Sequence, residues 1–62
     1  MIKLEFNETT YEFKYNYNYG GMDLYKDGRI ADAWGISESQ FKNFTIVDFS
    51  KYIQKHIEFI TR

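Results

Sequence analysis

From Tyr11 to Tyr19 every second residue is aromatic: Tyr11, Phe13, Tyr15, Tyr17 and Tyr19. Side chains alternate between the two faces of a strand, so this spacing places all five on one side of a sheet. Glu12, Lys14, Asn16 and Asn18 fall on the other side. Upstream, Ile2, Leu4 and Phe6 alternate with Lys3 and Glu5, which predicts a first strand over 2–6. The polar stretch from Asn7 to Thr10 turns the chain into a second strand over 10–19, and the two pair as an antiparallel hairpin. Gly20-Gly21 then breaks the strand.

A second hairpin follows, with strands at 22–26 and 29–34 around Lys26-Asp27-Gly28. Its register is constrained by charge. A two-residue loop at Asp27-Gly28 would set Asp23 directly opposite Asp32, an unfavourable pairing of like charges. A three-residue loop with Gly28 left-handed at a bulge avoids this and is the preferred reading. It gathers Met22, Leu24, Ile30 and Trp34 on one face and leaves Asp32 as the odd polar residue there.

Beyond Gly35 the period changes. Ser37-x-x-Gln40 fits either a capping box opening one helical turn or a loop pinned by Phe41. Thr45-Ile46-Val47-Asp48 is the stronger capping box, with Phe44 and Phe49 spaced as a hydrophobic staple. From there Phe49, Tyr52, Ile53, His56, Ile57 and Ile60 form one apolar stripe, with Phe59 at its margin. This predicts a helix over 46–61. The fold class is α+β: one small domain spanning 1–62, an antiparallel meander of about four strands with a C-terminal helix packed on one face.

Composition explains how so short a chain can fold. It has 62 residues and no cysteine, so neither a disulfide nor a zinc ribbon can reinforce it. Aromatic residues make up 21% of the chain, and each can bury about 150–250 Å². The formal net charge is −1, too neutral for a protein devoted to gripping phosphates. No apolar run approaches the roughly 20 residues that span a bilayer. Met1 to Phe6 reads as a strand and not as a signal peptide. These features predict a cytoplasmic protein with no membrane partner. Asn7-Glu8-Thr9 and Asn43-Phe44-Thr45 match the glycosylation pattern, but that pattern is common by chance and has no use in such a location. Ile, Lys, Asn, Tyr and Phe supply close to half the chain. Their codons are AT-rich, which suggests a low-GC bacterium or its phage.

Candidate chemistry is thin. His56 is the only histidine and sits on the apolar stripe, where a histidine bonded to its neighbours is the usual finding. A general base needs a nucleophile and an orienting group, and a metal site needs three or four ligands; no spacing proposes either. Asp23, Asp27 and Asp32 surround one hairpin, but Asp27-Gly28 is turn chemistry and the spacing fits no calcium loop. No catalytic, cofactor or metal residue is assigned.

The tyrosines are the functional lead. A strand from Tyr11 to Tyr19 would extend about 27 Å at roughly 3.3 Å per residue, while one helix covers only about 10 Å of width. Tyr11, Phe13 and Tyr15 are therefore expected in the core, with Tyr17 and Tyr19 at its margin. Tyrosines so placed, with an apolar ring and a wet hydroxyl, suit protein interfaces. The interface residues expected are Tyr15, Tyr17, Tyr19 and Trp34. The sequence thus predicts a non-enzymatic protein-binding module that pairs with itself as a homodimer, in the style of an inhibitor or accessory protein of a phage or mobile element. The alternative is a nucleic-acid binder that stacks bases on the tyrosine face, with Lys51, Lys55 and Arg62 on phosphates.

Overall fold

The computed structural model describes residues 2–60. Four strands, β1 (Ile2–Phe6), β2 (Thr9–Asn16), β3 (Gly21–Lys26) and β4 (Arg29–Gly35), form one antiparallel sheet in sequential order. Two helices follow, α1 (Glu38–Asn43) and α2 (Ile46–Ile60).

The core lies between one sheet face and α2. Tyr11 and Phe13 from β2, Met22 and Leu24 from β3, and Phe49 and Ile53 from α2 are buried. The rings of Phe13 and Phe49 meet across the interface at 4.7 Å. Ile2, Leu4, Phe6, Trp34, Ile36, Phe41, Phe44, Tyr52 and Ile57 close around this cluster half-buried. The aromatics therefore supply much of the apolar area a chain of this length must bury.

Both helices begin at the capping boxes legible in the sequence. Thr45 Oγ1 accepts the Asp48 N–H at 3.4 Å, and the Thr45 N–H donates to Asp48 Oδ2 at 2.9 Å. Phe44 packs on Phe49 at 5.4 Å as the staple. At α1 the same reciprocal pair joins Ser37 and Gln40, which resolves the ambiguous segment as a short helix. Phe41 on α1 reaches both Tyr15 and Phe49.

Three details differ from the sequence reading. First, β2 ends at Asn16, so Tyr17 and Tyr19 leave the strand for a four-residue loop of residues 17–20. The Asn16 side chain accepts the Asn18 N–H at 2.9 Å, a turn that competes with strand continuation. Second, the loop of the second hairpin has two residues, Asp27 and Gly28, both at positive φ (50° and 84°), with Lys26 opposite Arg29. The clash of Asp23 with Asp32 is relieved further along β4. A bulge leaves Ala31 unpaired, so Leu24 faces Asp32 and Asp23 faces Ala33. The two-residue loop itself leaves Ile30 opposite Tyr25 on the uncovered face, 62% exposed, and not among the core residues. Third, Ile60 does not join the helix stripe; it is exposed with Phe59 at the end of α2. The predicted end of that helix at residue 61 lies outside the described residues.

Candidate functional site: the tyrosine loop and the Asp32–His56 pair

The loop of residues 17–20 is short and braced. Gly20 at φ 73° turns the chain, and its N–H donates to the Asn16 carbonyl at 3.1 Å. Gly21, the first residue of β3, is buried beneath it. A Cβ at position 21 would lie 2.5 Å from the Trp34 carbonyl oxygen and would strike the Tyr19 ring. The close approach of loop, β3 and β4 therefore depends on glycine at this position.

The five-residue aromatic row divides into three environments. Tyr11 and Phe13 are core. Tyr15 is half-buried: its hydroxyl donates to the Ile36 carbonyl at 3.1 Å, and its ring lies 5.6 Å from Phe41 and 4.9 Å from Tyr17. Tyr17 is 73% exposed and Tyr19 50%. A shallow depression of about 240 Å³ is lined by Lys14, Tyr15, Tyr17 and Phe41. A second, of about 290 Å³, shares Lys14, Tyr15 and Tyr17 and adds Asn16, Asn18, Asp23 and Tyr25.

Tyr19 does more than line a surface. Its hydroxyl donates to Asp23, a buried carboxylate that also accepts the Asn16 amide at 3.0 Å. Loss of water around the phenol, then the hydrogen bond and the negative charge of Asp23, push the Tyr19 pKa up to about 12. Tyr17 is likewise held above the usual phenol value, chiefly by hydrogen bonding to Glu38 of α1. The hydroxyl hydrogens of Tyr15 and Tyr19 thus both have partners within the chain.

Trp34 lies apart from the tyrosine loop. Its side chain packs on Tyr52 of α2 at 4.9 Å and lines a different cleft, with Asp32, Lys55 and Phe59. The structure therefore brings the Tyr15 and Tyr17 rings together, turns Tyr19 to Asp23 and leaves the Trp34 ring out.

The three aspartates of the second hairpin are also separated. Asp23 is under the tyrosine loop, Asp27 accepts the Thr10 N–H at 3.3 Å within its turn, and Asp32 faces α2. There His56 Nδ1 donates to Asp32 Oδ2 at 3.1 Å, while Asp32 Oδ1 accepts the Ala33 N–H at 2.8 Å. His56 is buried. The sequence marks each as the polar exception on an apolar face, and the fold pairs the two exceptions. Among the described residues, no group of three or more His, Cys, Asp or Glu side chains is arranged to hold a metal.

No family model, curated protein or solved structure matches the chain.

Proposed function

We propose that this protein is a non-enzymatic protein-binding module that engages its partner through the tyrosine loop. The observation carrying the proposal is Tyr17, a large ring 73% exposed yet held edge-on to Tyr15 at 4.9 Å in a braced loop. A rigid exposed aromatic loses little conformational freedom on docking, which is the character of an interface hot spot. The internal partners of the Tyr15 and Tyr19 hydroxyls favour contact by ring packing over hydrogen-bonded reading of base edges. The net charge of −1 weighs against a phosphate-tracking role in the same direction.

A second copy of the chain is the first partner to test. Self-pairing along the sheet edges is disfavoured. β1 is only five residues long, and β4 carries the bulge and has one edge N–H occupied by Asp32. A dimer would instead bring two tyrosine loops together. The richness in amino acids with AT-rich codons supports an origin in a low-GC genome or its phage, where small accessory proteins of this kind would act in the cytoplasm.

The test is Tyr17→Ser. Because the ring is largely exposed, the change should lower stability by less than about 1 kcal/mol. It should also abolish self-association measured by sedimentation at micromolar concentration, or capture of a single stoichiometric protein from host extract. Retention of every interaction by the folded variant would refute the proposal, and recovery of nucleic acid in place of protein would favour base stacking on the same rings.

A further inference from the structure

The cleft between β4 and α2 is independent of the tyrosine loop. It measures about 330 Å³ and is lined by Asp32, Trp34, Lys55 and Phe59. Its size falls at the lower end of the roughly 300–1,000 Å³ typical of small-ligand clefts.

Its charges are arranged in an unusual way. Asp32 and Lys55 line the same cleft with opposite sign, but neither of the ion pairs among the described residues joins them. Each is tethered elsewhere. The Asp32 carboxylate is fixed by His56 at 3.1 Å and by the Ala33 N–H at 2.8 Å. The Lys55 ammonium stands over the Tyr52 ring, 4.8 Å from its centroid. Opposite charges that line one cleft without pairing create a directed field in it. The wall is aromatic: Trp34 is backed by Tyr52, and Phe59 is 72% exposed.

This arrangement selects by elimination. A cationic side chain would find Asp32 but be repelled by Lys55. An anion would meet the reverse. A neutral ring would gain the aromatic wall alone and leave the field between the two charges unused. We propose that the cleft binds a zwitterionic α-amino acid with an aromatic side chain. Its ammonium would lie on Asp32, its carboxylate on Lys55 and its ring between Trp34 and Phe59.

The experiment is an NMR titration of the full chain with free phenylalanine, set beside N-acetylphenylalanine and phenylalanine amide, which each lack one charge. A ligand of this size in an open cleft should bind with a dissociation constant on the order of 1 mM. Saturable shifts are expected at the amides of Asp32, Trp34 and Lys55, and either capped compound should bind at least about tenfold more weakly. Lys55→Gln, an exposed position, should cause a similar loss for phenylalanine while leaving the spectrum away from the cleft unchanged. Absence of saturable shifts at these amides would overturn the proposal. Equal binding of all three compounds would do the same, because the cleft would then read the ring alone. Unaltered phenylalanine binding by Lys55→Gln would also overturn it.

Discussion

At the scale of single residues, backbone conformation decides more than side-chain chemistry. The first hairpin turns through Asn7 and Glu8, both at positive φ (51° and 64°). Two-residue hairpin turns favour Asn-Gly at these places, and glutamate gains nothing from the left-handed region. Glu8→Gly should therefore stabilise the protein by about 0.5–1 kcal/mol, the relief of left-handed strain less the entropy glycine loses on folding. Urea denaturation measures it, and a destabilised variant would mean that the Glu8 side chain contributes more than its backbone strain takes away. Gly21 is the opposite case. Gly21→Ala drives a methyl into the Trp34 carbonyl and should cost roughly 1–3 kcal/mol. Gly35→Ala points into open space and should stay within about 0.5 kcal/mol of wild type. Thermal melts of the pair separate close packing at Gly21 from a general effect of adding a methyl group.

Among the elements, α2 was the most legible from sequence, because its start is encoded locally. Thr45, Asp48 and the Phe44–Phe49 staple all lie within residues 44–49. The capping bond from the Thr45 N–H is the main cause that lowers the Asp48 pKa from its ordinary 3.8. A carboxylate stabilised in the folded state contributes stability that is fully present above its unfolded pKa. That contribution is lost as pH falls below about 3.8 and through the lower folded value. Asp48→Asn should therefore flatten the acid limb of the stability–pH curve while leaving its shape near neutrality unchanged, as followed by denaturant midpoints across that range. An unaltered acid limb would show that other carboxylates dominate it. The strands were less legible. The aromatic alternation through Tyr19 favours a long β2, but the tertiary structure ends it at Asn16. The contrary signal is Asn16 and Asn18, residues that prefer turns to strands.

Across the whole molecule, sheet and helix are joined by an apolar layer and by a polar tie, Asp32 to His56. Removing either partner leaves the other buried or half-buried without its bond, so the pair should behave as a unit. A double-mutant cycle of Asp32→Ala and His56→Ala should give a coupling of about 1 kcal/mol or more by denaturant unfolding. Strict additivity would mean that the contact carries no net stability. The same tie holds Asp32 at the rim of the β4–α2 cleft, so one hydrogen bond serves both helix docking and the shape of a candidate binding site.

Periodicity and local capping were enough to specify the α+β class, the four-strand order, the capped start of α2 and most of the core: Tyr11, Phe13, Met22, Leu24, Phe49 and Ile53. These follow from periodicity and from capping within a few residues, information carried by neighbours along the chain. The helical state of α1, the bulge at Ala31, the exposure of Ile30, the separation of the Trp34 ring from the tyrosines, and the Asp32–His56 and Tyr19–Asp23 bonds emerge only on packing. The physical reason is that a one-residue shift in register reverses which face every following side chain takes. The choice between shifts was made by the energy of burying or opposing charges that meet only once sheet and helix are packed together.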